Sequence, residues 1–133
     1  MTTVFLDTVG MIANWDDADQ WHADAQKAFA KLLNEGCRVV TTPLVLYECG
    51  NASARRTYRS DVCELRQFLM DEKLLIEPTP KEIEIAWSEY QRGTPGQAGI
   101  VDHVSFLIMR RLGIAEAFTN DKHFEAAGFK ALF

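Results

Sequence analysis

Asp7, Glu48, Asp102 and Asp121 are scattered across a chain of 133 residues, yet each stands where folding can bring its carboxylate to a shared divalent cation. Asp7 ends the apolar run Val4-Phe5-Leu6, and Asp121 follows the apolar segment from Ala115 to Thr119. Asp102 opens a long apolar stretch, and Glu48 lies in Leu44-Val45-Leu46-Tyr47-Glu48-Cys49, among residues suited to burial, where a carboxylate needs a partner. Four carboxylates gathered together repel one another and raise their own pKa values unless a hard cation such as Mg²⁺ neutralises them. Taken singly, three of them have plainer explanations: Asp7 as a helix cap, Asp102 as a dipole partner at a helix start, Asp121 as a turn residue.

Other side chains fall in register with these acids. Glu48, Asn51, Arg55 and Arg59 are spaced by three or four residues, so one helix face can run from the acids to two guanidinium groups able to grip phosphates. Thr8, Asn51 and Ser105 can orient ligands or bound water, although hydroxyls on helices often bond backbone carbonyls instead. Arg56, Arg110, Arg111 and Lys122 read as ordinary surface charges. His22 and His103 read as structural or surface residues, His103 lying about 100° round the helix from Asp102. His123, two residues after Asp121, can approach a substrate. Trp21, Phe29, Phe68, Trp87 and Phe106 recur at helical spacing and read as core or dimer-interface packing.

The elements that must position these groups alternate. Val4–Leu6 reads as a buried strand, followed by a short helix through Ile12. A longer helix opens at Asp17–Gln20, with Trp21, Ala25, Ala28, Phe29 and Leu32 on one face, and Gly36 closes it. Cys37–Thr41 reads as a second strand. Thr42-Pro43 starts a helix with a hydroxyl cap and proline at the first turn; it runs past Glu48 and breaks near Arg59-Ser60-Asp61. A further helix carries Val62, Leu65, Phe68 and Leu69, and Leu74-Leu75-Ile76 reads as strand three. Thr79-Pro80-Lys81-Glu82 is a capping box. The glycine-rich loop Gly93–Gly99 leads into a helix over about Val101–Leu112, closed by Gly113. Ala115–Thr119 is a fourth strand, and Phe129–Phe133 can add a short last one. This alternation indicates an α/β domain with a mostly parallel sheet, whose ligand sites form beyond the strands' carboxyl ends.

Composition sets the outer limits. With 47% hydrophobic and 25% charged residues, the chain has the make-up of a globular protein rather than a disordered one. Cys37, Cys49 and Cys63 are odd in number and lack zinc or disulfide spacing, which fits a reducing cytoplasm. No run approaches the roughly 18 apolar residues of a membrane span, and no secretory leader is visible. A net charge of −5 counts against a nucleic-acid binder. A carboxylate site built for a cation adds negative charge by design, however, and the bound ion reverses the local field.

The motifs together resemble the PIN domain family, and within it the VapC-type toxin ribonucleases, along nearly the whole chain. Val4-Phe5-Leu6-Asp7-Thr8 is similar to the family's opening strand with its first acid. Pro43 to Ala52 resembles the segment carrying its glutamate and the asparagine one turn later. Val101-Asp102-His103-Val104-Ser105-Phe106 is similar to the third-acid helix, and Thr119-Asn120-Asp121-Lys122-His123-Phe124 matches the closing T-x-D-x-x-F pattern. Val9 departs from the family, which often has a small hydroxyl residue there. The resemblance implies a three-layer α/β/α sandwich, a single domain over residues 1–133, and hydrolysis of RNA phosphodiester bonds by a metal-activated water. Asp7, Glu48, Asp102 and Asp121 would then be catalytic and hold Mg²⁺ or Mn²⁺. It further implies a cognate antitoxin, a homodimer and inhibition of translation. The alternatives are a housekeeping RNA-processing nuclease and a catalytically weak PIN domain that binds RNA or protein. A haloacid-dehalogenase-type phosphatase needs a second aspartate where Val9 stands, and the Gly93–Gly99 loop lacks the lysine of a phosphate-binding loop.

Overall fold

The all-apolar segment Val4-Phe5-Leu6 is buried on both faces, as a central strand of a parallel sheet must be. It forms β1 (Thr3–Leu6) in a computed structural model that describes residues 1–133. Then follow α1 (Thr8–Trp15), α2 (His22–Asn34), β2 (Arg38–Val40), α3 (Pro43–Ser53), α4 (Arg59–Asp71), α5 (Pro80–Arg92), α6 (Ile100–Leu112), β3 (Glu116–Phe118), α7 (Lys122–Ala126) and β4 (Lys130–Ala131). The sheet order is β2-β1-β3-β4 and every pairing is parallel. The chain leaves β1 for a neighbour on one side and returns as β3 on the other, so the carboxyl ends of β1 and β3 diverge into a crevice. With helices layered on the sheet, the architecture is the expected α/β/α sandwich. No helix is long and apolar enough to cross a membrane.

Helix ends follow their local chemistry. Thr42 caps α3 by accepting from the Val45 amide, with Pro43 at the first turn. Thr79 and Glu82 close a reciprocal capping box on α5. α5 and α6 end at Gly93 and Gly113, which take the left-handed conformation that glycine adopts freely. The core is one cluster with Phe5, Leu6, Phe106, Phe118 and Phe124 fully buried within it. Gly10 is indispensable to the packing of α1 on β3: a Cβ there would sit 2.0 Å from the Phe118 carbonyl oxygen. That close approach also sets Asp7 beside the end of β3, and the Asp7 amide donates to the same carbonyl.

Several expectations need correction. Leu74-Leu75-Ile76 is not a strand; only a single bridge pairs Leu75 with Thr41. The Leu74 amide is spent closing α4 onto Leu69, and Pro78 follows too soon for a ladder to extend. The helix bearing Glu48 stops at Ser53, well before Arg59, which instead begins α4. The cause is Tyr58: its buried ring stacks on Trp15, centroids 6.2 Å apart, and its hydroxyl donates to Asp16, pulling the intervening turn onto the end of α1. Of the aromatics read as core or interface packing, Phe106 is in the core, whereas Trp21, Phe68 and Trp87 are 42 to 50% exposed, which leaves only the interface reading for them.

Candidate active site

Asp7 occupies the cap position of α1, but its side chain makes no capping bond, which sets aside the plainer explanation for this residue. Its carboxylate is 1% exposed and accepts from the Thr119 hydroxyl at 2.8 Å. Thr119 also takes the Asp121 amide at 3.0 Å, so one hydroxyl at the end of β3 orients both strand-end acids. Beside β1, the Thr41 hydroxyl donates to the Leu6 carbonyl and ties down the end of β2. Glu48 projects from α3 and is exposed rather than buried as its apolar neighbours suggested; it accepts from the Thr8 hydroxyl at 2.6 Å. Asp102 sits at the third position of α6 and is half-buried. Asp121 caps α7 through Oδ1, which accepts the His123 amide at 2.9 Å, so one of its two oxygens has a local role, as a helix cap rather than as the turn residue the sequence allowed.

All four acids line one open cleft of about 600 Å³ together with Thr8, Val9, Asn51 and Ala52. Burial, reinforced by the charge of Asp102, pushes the Asp7 carboxyl up to about 7 against the pull of the Thr119 hydrogen bond. Burial and then the charges of Asp121 and Glu48 push Asp102 up to about 6. Cys49, packed beneath the cleft, is driven up to about 12, chiefly by burial. No lysine or arginine forms an ion pair with any of these carboxylates. An all-oxygen donor set, crowded and short of positive charge, fits a hard divalent cation such as Mg²⁺ or Mn²⁺.

His123 is the exception to that shortage. Its Nδ1 lies 2.7 Å from Asp121 Oδ1 and its Nε2 lies 3.0 Å from the Gly96 carbonyl, and the hydrogen bond to Asp121 raises its pKa. A ligand atom from each of Asp102, Asp121 and His123 falls within 4.8 Å of the others. His103, by contrast, is buried between Tyr90 and Phe106 and faces away into the packing, as the sequence suggests.

The remaining candidates divide. Thr8 and Asn51 line the cleft. Ser105 does not: it is fully buried and its hydroxyl donates to the Val101 carbonyl one turn back, satisfying itself within α6. Beyond Asn51 and Ala52, a second open hollow of about 500 Å³ continues the cleft to Arg55 and Arg56. Arg59 is not part of it, because the turn imposed by Tyr58 breaks the common helix face and leaves the Arg59 guanidinium donating to the Ala54 carbonyl. Sequence reasoning therefore missed Arg56, which it placed on the general surface, and Thr119, although the T-x-D pattern held the signal.

The fold and the site have known counterparts. The solved structure of VapC20 from Mycobacterium tuberculosis, described as a sarcin-ricin loop cleaving toxin, superposes with a TM-score of 0.78 at 26% identity, covering 95% of each chain. No curated protein sequence matches the chain. Residues 4–130, a span that holds all four acids, match the PIN domain, and the chain belongs to that family.

Proposed function

We propose that this protein is a Mg²⁺- or Mn²⁺-dependent endoribonuclease, a single nuclease domain over residues 1–133, and the toxin of a toxin–antitoxin pair that inhibits translation. The observation that carries the reading is the convergence of Asp7, Glu48, Asp102 and Asp121 on one cleft with no lysine or arginine to balance them. When bound, a divalent cation supplies an acidified water and neutralises charge on the phosphate oxygens. The chain's own part is to hold and orient. Asp7, Glu48, Asp102 and Asp121 are the ligands, Thr119 and Thr8 fix the carboxylates of Asp7 and Glu48, and Asn51 borders the substrate side. Arg55 and Arg56 grip backbone phosphates one step along the strand, supplying the basic surface that the net charge of −5 conceals.

The RNA substrate is supported by the likeness to VapC20, a sarcin-ricin loop cleaving toxin. The family resemblance brings with it a cognate antitoxin and a homodimer. The exposed Trp87 and Tyr90, packed edge to face on α5, are the kind of apolar surface that assembly covers. A cytoplasmic location agrees with three free cysteines.

The test is to incubate purified protein with total RNA and with DNA, with Mg²⁺, Mn²⁺ or chelator, and to sequence the cut ends. RNA cleavage leaving 5′-phosphates, abolished by chelator and reduced on the order of 100-fold or more by Asp7→Asn or Asp102→Asn, is expected. Cleavage that persists in chelator would reject the reading. Expression without an antitoxin should arrest growth, and Asp102→Asn should relieve the arrest. Harmless expression of a fully active enzyme would point to a housekeeping nuclease instead.

A further inference from the structure

The loop between α5 and α6 carries no acid of the site, yet it governs where Asp102 stands. It is internally tight: the Gln97 amide bonds the Gly93 carbonyl, the Ala98 amide bonds Pro95, and buried Ala98 leads into Gly99, whose carbonyl receives the His103 amide in the first turn of α6. Gly96 at its tip has φ +53°, a left-handed conformation that glycine adopts freely, and its carbonyl takes part in none of the loop's own backbone bonds. That carbonyl meets one group, the Nε2 of His123 at 3.0 Å. The other face of the same ring meets Asp121 Oδ1 at 2.7 Å. The ring also packs on the glycine: a Cβ at Gly96 would lie 3.6 Å from His123 Cδ2, in ordinary contact. A carbonyl oxygen and a carboxylate oxygen can each only accept, so Nε2 donates to the first and Nδ1 to the second, and the ring, as an imidazolium with both nitrogens protonated, joins two otherwise separate segments.

We propose that His123 is a positioning residue that clasps the Asp121 carboxylate to the Gly96 carbonyl and thereby fixes the separation of Asp102 and Asp121 across the cleft. The clasp is built on the metal-site reading above and adds to it a residue that acts through its neighbours. Oδ1 of Asp121 is taken up by the His123 amide and ring, which commits the other oxygen, Oδ2, to the cleft. The loop, held at Gly96, presents the first turn of α6 and Asp102 with it. Neither contact suffices alone. The Asp121 bond without the loop leaves Asp102 unregistered, and the loop bond without Asp121 leaves that carboxylate free to rotate on α7.

Two conservative variants separate the contacts. His123→Asn keeps a donor near the Nδ1 position and loses Gly96; His123→Gln keeps a donor near the Nε2 position and loses Asp121. Mn²⁺ titrated into each, followed by calorimetry, should bind about 10-fold more weakly than to the wild type in both, the range found for groups that orient metal ligands. Circular dichroism should show both variants folded. Either variant binding Mn²⁺ as tightly as the wild type overturns the clasp, because one contact would then be enough. A wild type that binds no Mn²⁺ overturns the metal-site reading itself, and the clasp with it. A measurement on the wild type needs no variant: the Nε2 proton of His123 should show a nuclear Overhauser contact to residues 96–97 that survives saturation with Mg²⁺. Its loss on adding Mg²⁺ would mean that the ring swings away to become a ligand, and would overturn the clasp.

Discussion

Asp7 is the residue at which folding and function pull in opposite directions. Its folded pKa, raised by burial to about 7 from an unfolded value of 3.8, means that the folded state holds a proton the unfolded state has released. The sign follows from linkage: stability is undiminished below about pH 4, falls as pH rises through the window from 3.8 to about 7, and stays lowered above it. Asp102, raised to about 6, adds to the loss over the lower part of the same window. In chelator, Asp7→Asn should therefore stabilise the protein at pH 7.5 by about 4 kcal/mol and flatten this pH dependence, measured by urea denaturation between pH 4 and 8. An Asn variant with the pH dependence of the wild type would contradict the assigned burial cost. The four acids were legible in the sequence because Asp7, Asp102 and Asp121 each end or open an apolar run and Glu48 interrupts one. Thr119 was not read as part of the site, since a hydroxyl at a strand end is equally at home bonding backbone. Ser105, read as a candidate, turned out to do that.

At the scale of elements, the ends of β1 and β3 were readable from apolar runs, the start of α5 from its capping box and the end of α6 from Gly113. The junction between α3 and α4 was not. Helical spacing placed Glu48, Asn51, Arg55 and Arg59 on one face, but the contact of Tyr58 with Trp15 and Asp16 spans more than forty positions, and no local pattern announces it. The turn that results points Arg55 and Arg56 along the hollow that continues the cleft. Arg55→Ala and Arg56→Ala should each weaken RNA binding and reduce the slope of log affinity against log salt by about 0.7, one phosphate contact apiece. Arg59→Ala should leave that slope unchanged. A slope insensitive to Arg55 and Arg56, or one that falls on loss of Arg59, would restore the continuous helix face as the RNA path. Strand three failed for a comparable reason: Leu74-Leu75-Ile76 has the composition of a strand, but its first amide closes α4 and Pro78 cuts the segment short.

Over the whole molecule, a net charge of −5 and an RNA substrate are compatible because charge is distributed, not averaged. The parallel sheet concentrates acids at the carboxyl ends of β1 and β3, and the cation proposed there would convert that concentration into a site for phosphate. Fold class could be read from the alternation of strands and helices, and the order β2-β1-β3-β4 then explains why residues as distant as Asp7 and Asp121 share one hydroxyl. The central claim is that the four carboxylates act together on a cation, and equilibrium titration of Mn²⁺ into the wild type and into Asp7→Asn, Glu48→Gln, Asp102→Asn and Asp121→Asn tests it most directly. Binding to the wild type, weakened about 10-fold or more in every variant while each remains folded, is the predicted result. A wild type that takes up no Mn²⁺, or four variants that bind it as the wild type does, would contradict the account.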